Sequence, residues 1–322
     1  METSNKILVV IDGSYFMYYV LFGAVNQFYK RHRLEYDSLI KPPEETDQSS
    51  LPSLLVSDSF KKELKNALVK RCEFLDFILK RNFQNEIDET ESCTFIFALD
   101  DYVKNSFRKD KYPEYKATRK IAKKSYSTSD IHNYIVHVLF PELDLLGRFG
   151  YHFLHVDGAE GDDVIACVMK NFSDKFSMKI LFASDHDFCQ LEGIRQFDLR
   201  GQEIHPTVKL KGNEIEIEPK TALLMKIIMG DGSDNIPSIG DKIGPVKAYK
   251  YACDKELLKK YLVENKSAAK KFLINKEIID FNQIPKELSE KIISEAEKIF
   301  EEDARVKKNS EIDLSVQNLM EL

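Results

Sequence analysis

Short apolar runs alternate along this chain with longer segments of helical periodicity. Ile7–Ile11, Thr94–Leu99, Tyr151–Val156 and Lys179–Ser184 are rich in β-branched and aromatic residues and end at turn residues. That pattern predicts strands buried on both faces. The segments between them are long enough for crossover helices, so the strands are expected to be largely parallel. Phe60, Leu64, Leu68, Leu75 and Leu79 recur at helical spacing and predict a long amphipathic helix. The same stripe could dock a partner, although core packing is its commoner use. Tyr36–Ser59, with Pro42-Pro43, Glu44-Glu45 and two serine patches, shows little periodicity and reads as a mobile insertion. Ala222–Met229 reads as an apolar helix, and beyond Tyr249 a Lys/Glu-rich helical pattern continues to about Lys308.

Each apolar run leads into carboxylates. The first meets Asp12, the second Asp100 and Asp101, the third Asp157, Glu160, Asp162 and Asp163, and the fourth Asp185 and Asp187. In a parallel sheet the ligand crevice lies beyond the carboxyl ends of the strands. Unneutralised acids gathered there would raise one another's pKa. A hard divalent cation with oxygen ligands removes the conflict, so the crevice is most simply an Mg²⁺ site. Taken singly, Asp12, Asp100 or Asp185 would serve equally as a helix N-cap, and Glu160, Asp162 and Asp163 suit a helix dipole. Caps alone do not require doubled acids at every junction.

The chain has 322 residues, enough for one large domain and a smaller one. No apolar stretch is long enough to span a bilayer and no signal peptide opens the sequence, so a soluble intracellular protein with no membrane partner is expected. Cys72, Cys93, Cys167, Cys189 and Cys253 are scattered without a CxxC pair, which points to reduced thiols rather than zinc or disulfides. The formal net charge of -6 argues by itself against a nucleic-acid partner, but the positive charge is concentrated. Lys104, Arg108, Lys109, Lys111, Lys116, Arg119, Lys120, Lys123 and Lys124 are opposed within that stretch only by Asp110 and Glu114, with Tyr102, Phe107, Tyr112, Tyr115 and Tyr126 interleaved. Such a run can neutralise phosphates and stack on bases. A solvated helix face is the alternative, and the position beside the acids favours phosphate. Gly230–Tyr249 adds Asp231 and Asp234, then Gly240, Gly244 and Pro245 in a tight turn feeding a helix N-terminus, where backbone N–H groups can meet a phosphate.

Five segments in this order, "VVIDGSYFMYY", "FALDDYVKNSFRKDKYPEYKATRK", "VDGAEGDDVIA", "LFASDHDFCQL" and "MKIIMGDGSDNIPSIGDKIGPVKAY", carry a resemblance over roughly residues 7–250. The chain resembles structure-specific 5′-nucleases of the flap endonuclease and 5′–3′ exonuclease family, of the phage RNase H-like type. The resemblance implies a PIN-like α/β core over residues 1–218 with a mainly parallel central sheet flanked by helices. A helical arch at about 101–128, a helix–three-turn–helix duplex-binding part over 219–309 and a tail over 310–322 complete the expected plan. It implies two Mg²⁺ ions, replaceable by Mn²⁺, about 4 Å apart. Asp12, Asp100, Glu160 and Asp162 resemble ligands of the first ion, and Asp185, Asp187 and Asp234 those of the second. Asp163 and Asp231 are neighbours acting through water.

Lys116, Arg119 and Arg108 are expected to hold the scissile phosphodiester or the flap backbone. Lys104, Lys109, Lys111, Tyr115 and Lys120 would line the arch. Tyr18 is either a ring stacking on a terminal base or a core residue of the first helix. Gly240, Lys242, Gly244 and Lys247 would meet the duplex, with a K⁺ ion on carbonyls near Ser238, Ile239 and Ile243. The chain departs from the family pattern at Lys242, where glycine is usual, and at Pro245-Val246-Lys247-Ala248, where the lysine is displaced by one. His186 could touch a phosphate or be an exposed loop residue. The implied activity is removal of 5′ flaps or RNA primers at single-strand/duplex junctions, on branched or nicked DNA and RNA/DNA hybrid 5′ ends. A sliding clamp, faintly suggested by Gln317–Leu322, or a single-strand-binding protein would be a partner. A PIN-type ribonuclease would lack the arch and the glycine turn, and a non-catalytic junction binder would lose acids.

Overall fold

The four apolar runs form β1 (Ile7–Asp12), β2 (Cys93–Ala98), β3 (Tyr151–Leu154) and β4 (Met178–Phe182). The computed structural model describes residues 6–40, 52–83, 93–101, 106–117 and 129–320, without the side chains of 52, 53, 129, 146 and 304–320. With β5 (Arg195–Phe197) and β6 (Glu203–Ile204) the strands make one sheet in the order β3-β2-β1-β4-β5-β6. All pairs are parallel except β5 with β6. The largely parallel sheet was therefore legible, and β1 lies near its middle because its five apolar residues, Ile7 to Ile11, are fully buried.

Helices cover both faces. They are α1 (Gly13–Arg31), α2 (Arg33–Leu39), α3 (Asp58–Phe83), α4 (Phe107–Lys111), α5 (Ser129–Tyr134) and α6 (Gly161–Asn171). The C-terminal half adds α7 (Pro219–Met229), α8 (Pro245–Cys253), α9 (Lys255–Glu264), α10 (Lys266–Ile279) and α11 (Lys286–Met320). Alternate β1 residues divide the core. Ile7, Val9 and Ile11 pack with Phe16 of α1, Leu64 and Leu68 of α3 and Ile131 of α5. Leu8 and Val10 pack with Val164 and Ile165 of α6 and Ile292 and Ala296 of α11. The period-2 alternation of a strand thus assigns each helix layer its face.

Three departures from the sequence reading are local. The stretch Tyr36–Ser59 is not structureless at its ends. α2 includes Tyr36, whose ring meets Phe28 and Tyr29, and a 3₁₀ turn at Pro52–Val56 buries Leu54. Aromatic and apolar burial holds both ends of the stretch, while residues 41–51 lie outside the described residues. A hairpin, β7 (Thr207–Leu210) with β8 (Asn213–Glu216), was not anticipated. Its two-residue turn puts both Lys211 and Gly212 at positive φ, the hand that suits twisted hairpins. Finally, α11 runs on to Met320, through most of the segment expected to be a tail.

The glycine-rich segment joins α7 to α8. Gly230 ends α7 at φ 70°, and a Cβ there would lie 2.4 Å from the Ile236 carbonyl oxygen, so only glycine fits. Pro245 opens α8 at a first-turn position that needs no N–H donor. Lys242 adopts φ 54°. A lysine in this left-handed conformation carries backbone strain that a glycine would not.

α11 is fastened to the sheet by a buried polar contact: Thr94 Oγ1 of β2 donates to Asp303 Oδ2 at 2.6 Å. Thr94→Val keeps the shape and removes the donor. It should cost about 1–3 kcal/mol in urea unfolding, with no change in the slope of the transition; an unchanged midpoint would mean the contact does not anchor α11.

Candidate active site

The acids converge because strand register fixes where each strand stops. Asp12 pairs with Ala98, so Asp100 follows two residues beyond the end of β2. Asp12 Oδ1 accepts the Tyr15 N–H at 3.0 Å and caps α1. Asp100 Oδ1 accepts the Gly161 N–H at 2.7 Å, and its Oδ2 accepts the Ser14 hydroxyl at 2.6 Å. Glu160 is the N-cap of α6 within a capping box with Asp163. Asp185 caps a 3₁₀ turn by accepting the Asp187 N–H at 2.9 Å. Capping and ligation are not alternatives here, because a carboxylate that caps with one oxygen is held in place to offer the other.

The electrostatics separate the centre of the cluster from its edge. Burial, followed by the charges of Asp100 and Asp185, pushes Asp12 up to about 7. Asp162 is raised well above its ordinary value, again chiefly by burial, with Asp12, Asp100 and Asp185 adding to it. Asp187 rises to about 6 through burial and Asp185, against the pull of Lys226. Two other acids go the opposite way. For Glu160 burial alone would raise the pKa, but Lys116 and Arg108 hold it at about 2. Asp231 is likewise held at about 2, its burial outweighed by Lys226 and Ser233.

Among the described residues, three cations border the cluster. Lys116 Nζ donates to Glu160 Oε2 at 2.5 Å and lies 4.0 Å from Asp234 Oδ2. Its backbone is left-handed (φ 55°) and its N–H donates to the Asp234 carbonyl at 2.9 Å. Lys226 Nζ lies 2.5 Å from Asp187 Oδ1 and donates to Asp231 Oδ2 at 2.7 Å. Sequence reasoning missed Lys226, although it is the one cation in the apolar run Ala222–Met229. Arg108 forks onto Asp163 at 2.7 and 3.0 Å, and its Nε donates to the Ile278 carbonyl.

That last pair corrects two expectations. Arg108 is 4% exposed and Asp163 is fully buried, and each is committed to the other. A guanidinium enclosed in this way holds protein, not a phosphodiester, and Asp163 does not face the crevice. Tyr115 is a third correction. Its ring is 3% exposed among Ile227, Ile236, Ile278 and Ile279, and its hydroxyl donates to Glu160 at 3.0 Å, so it is packed rather than open for base stacking.

Of the remaining expected DNA contacts, Lys109 is half-buried on α4, and Lys111 is exposed and paired with Glu277 at 3.3 Å. Arg119, Lys104 and Lys120, with most of the expected arch, lie outside the described residues. Tyr18 is 39% exposed on the outer side of α1, stacked on Phe22 and edge-on to His132. Gly240, Lys242, Gly244 and Lys247 all sit on the turn between α7 and α8 or just inside α8, and Lys242, Gly244 and Lys247 are exposed. His186 is exposed beside Asp185. At the rim, donor atoms of Asp101, His155 and Asp157 lie within 4.8 Å of one another.

A central cluster made of carboxylates, three of them raised by burial and mutual charge, fits a hard divalent cation with oxygen ligands. The family model of the 5′-3′ exonuclease N-terminal resolvase-like domain matches residues 66–214, which carry Asp100, Glu160, Asp162, Asp185 and Asp187. A 5′-3′ exonuclease of Buchnera aphidicola subsp. Schizaphis graminum is 26% identical over 51% of this chain and 54% of its own length. The ribonuclease H of Enterobacteria phage T4 is 27% identical over 62% of this chain and 68% of its own. Over residues 66–214 the chain is similar to the 5′-nucleases. Its match spans only 54% and 60% of the lengths of two Buchnera relatives. The fold is shared with the bacteriophage T5 flap endonuclease, solved as a pseudo-enzyme–product complex with DNA and metal ions. That structure is 14% identical, covers 92% of this chain and 99% of its own, and has a TM-score of 0.53. A zinc-bound T5 5′-exonuclease gives a TM-score of 0.51 at 14% identity, covering 92% of this chain and 98% of its own. The resolvase-like match leaves out Asp12, Asp231 and Asp234, which the fold nevertheless brings to the same crevice as the matched acids.

Asp163→Asn should strand the buried Arg108 charge and destabilise the protein by about 3–5 kcal/mol in chemical denaturation, whether or not divalent metal is present. A variant of unchanged stability would return Asp163 to the metal site. The pKa shifts set two pH windows for the metal-free protein. Asp12 and Asp187 have folded values above their unfolded ones, so their contribution is full below about pH 4 and is lost as pH rises toward 6–7. Glu160 and Asp231 are depressed, so their contribution is full above about pH 4.5 and is lost as pH falls toward 2. In EDTA the melting temperature should therefore fall at both ends, and Asp12→Asn should flatten only the limb between pH 4 and 7.

Proposed function

We propose that this chain is a divalent-metal-dependent 5′-nuclease, acting as flap endonuclease and 5′–3′ exonuclease on phosphodiesters at single-strand/duplex junctions. The observation that carries the reading is the convergence of strand-end carboxylates in a crevice whose central members, Asp12 and Asp162, are raised chiefly by burial and further by the neighbouring acids, Asp162 even against the charge of Lys116. Asp12, Asp100, Glu160 and Asp162 would hold one Mg²⁺, and Asp185, Asp187 and Asp234 a second, with Mn²⁺ able to substitute. Bound there, the ions supply Lewis acidity and an activated water for hydrolysis.

The chain's own residues do the rest. Lys116 sits between the Glu160 and Asp234 carboxylates, so its ammonium is placed to receive the scissile phosphate when those acids turn to metal. Lys226 keeps Asp187 and Asp231 oriented without spending a protein nucleophile. Asp231 acts through that lysine rather than as a direct ligand. Residues 219–309 would grip the duplex through the exposed turn between α7 and α8, with Lys242 and Lys247 on phosphates and a K⁺ ion on nearby carbonyls. Such contacts read backbone and shape, so little sequence preference is expected. Substrates would be nicked or branched DNA with a 5′ flap and RNA/DNA hybrid 5′ ends, as primer removal requires. Recruitment by a sliding clamp rests on Gln317–Leu322 alone, whose side chains lie outside the described residues, and a single-strand-binding protein would be a further partner.

Cleavage of a 5′-labelled flap duplex with Mg²⁺ tests the activity. Wild type should cut near the junction, and Asp185→Asn or EDTA should leave the substrate intact while binding persists. Binding without cutting by wild type would make the chain a junction-binding module, and equal cutting of unstructured RNA would favour a PIN-type ribonuclease. The turn has a separate test. Lys242→Gly relieves the left-handed lysine, so stability should stay within about 1 kcal/mol. Duplex affinity should fall, and the slope of log affinity against log salt should drop by about 1. An unchanged slope would remove Lys242 from the interface.

A further inference from the structure

Asp185 and Asp187, the acids proposed for the second ion, sit at the start of a 3₁₀ turn of five residues, His186–Gln190. Like charges two residues apart push such a turn open, so its backbone has to be held from outside. Two carboxamides hold it. Gln196 of β5, 4% exposed, donates from Nε2 to the Asp185 carbonyl at 2.8 Å and to that of Ala183 at 3.0 Å. These bonds fix the point where the chain leaves β4, two residues short of Asp187. Gln190 donates from Nε2 to the Asp187 carbonyl at 3.0 Å. Its other bonds leave the turn altogether. Nε2 also donates to the Ile279 carbonyl at 3.1 Å, and Oε1 accepts the Phe281 N–H at 3.0 Å. Both donors and the acceptor of the side-chain amide are thereby engaged.

Ile279 is the last residue of α10, so its carbonyl is one that the helix cannot satisfy within itself. The carbonyl before it, of Ile278, accepts from Arg108 Nε at 2.9 Å, and the same guanidinium forks onto Asp163. Asp163 belongs to the first turn of α6, which also carries Asp162 and is capped by Glu160. One end of α10 is therefore tied to both sets of acids, through Arg108 on one side and Gln190 on the other. We propose, resting on the two-ion reading above, that Gln190 is a positioning residue that sets Asp185 and Asp187 at a fixed distance from the acids of the first ion. The helix is a firm post for this purpose. Asn275, fully buried on α10, donates to the carbonyls of Ile227 and Pro237 at 2.9 and 2.8 Å, which joins α10 to α7 and to the turn that follows it. Groups that orient metal-binding side chains without touching the metal control how tightly it is held. Gln190 acts in this way through the backbone of the turn.

Metal binding gives the direct test. Gln190→Met keeps the length of the side chain and removes its three hydrogen bonds. In a calorimetric titration with Mn²⁺, wild type should bind two ions. The variant should bind one of them roughly ten- to a hundred-fold more weakly and the other as before. On a flap duplex its kcat should be lowered at limiting Mg²⁺ and recover in excess Mg²⁺, at an unchanged KM. Thr94→Val, near the start of β2 and away from the acids beyond its end, is the control for lost stability and should keep both affinities. Two equal affinities in Gln190→Met and wild type, or the same loss in Thr94→Val, would overturn the role of Gln190. Should Gln190→Met fail to fold, the side-chain amide resonances of Gln190 in wild type decide. They should shift with one of the two Mg²⁺ binding steps, and resonances that stay still through both would overturn it. A wild type that binds a single ion would instead remove the two-ion reading, and the role of Gln190 with it.

Discussion

Mutual repulsion among carboxylates at one end of the sheet is the constraint to which the rest of the molecule answers. Two unit charges 4 Å apart oppose each other by about 4 kcal/mol at the effective dielectric of a protein surface, and this crevice gathers several. Among the described residues, the fold meets that cost with protein cations at the edge. Arg108 neutralises Asp163, Lys116 neutralises Glu160, and Lys226 serves Asp187 and Asp231 together. Asp12 and Asp162, at the centre, are left to climb in pKa. The result is a graded site, with direct ion pairs at its rim and, among the described residues, none on Asp12 or Asp162 in the middle. A hard divalent ion therefore meets Asp12, Glu160 and Asp185 already placed by their caps, and its entry asks Glu160 and Asp187 to loosen their lysine contacts.

The three neutralising cations come from outside the sheet, so the same interactions assemble the two halves of the chain. Lys116 and Arg108 follow β2, yet the Lys116 N–H donates to the Asp234 carbonyl and Arg108 Nε to that of Ile278. Asn235 Nδ2 donates back to the Glu114 carbonyl at 2.9 Å. Tyr115 is packed between α7 and α10 by Ile227, Ile278 and Ile279. The root of the basic segment is thus fastened to the C-terminal helices and to Glu160 at once. Elements proposed to hold duplex and elements holding the acids cannot drift apart by much, and catalysis by positioning tolerates errors of about 1 Å or less.

Periodicity and strand-end chemistry made the core legible. β1 to β4 were readable because a strand buried on both faces is written as an unbroken apolar run, and α3 because its stripe repeats at helical spacing. The acids followed from those strands. What sequence did not show is which charges face which. Arg108 reads as one more residue of a basic run, and only the tertiary structure shows it buried against Asp163, fifty-five residues away. Lys226 is invisible for the same reason, since its partners Asp187 and Asp231 are set by how α7 lies on the sheet. The β7–β8 hairpin escaped notice because its strands are short and β8 is exposed throughout, which leaves no apolar alternation to read.

Asp100 stands between two surroundings of different polarity, with Oδ1 fixed by the Gly161 N–H on the α6 side and Oδ2 by the Ser14 hydroxyl on the α1 side. On one side are the acids whose oxygens suit a hard divalent cation. On the other is a cavity of apolar walls and acids, with no lysine or arginine among its described lining. Both donors to Asp100 are neutral, so they hold the carboxylate in place without cancelling its charge, and that charge still reaches Asp12 and Asp162. The need for a cation is thereby passed to the centre of the cluster instead of being met at its edge.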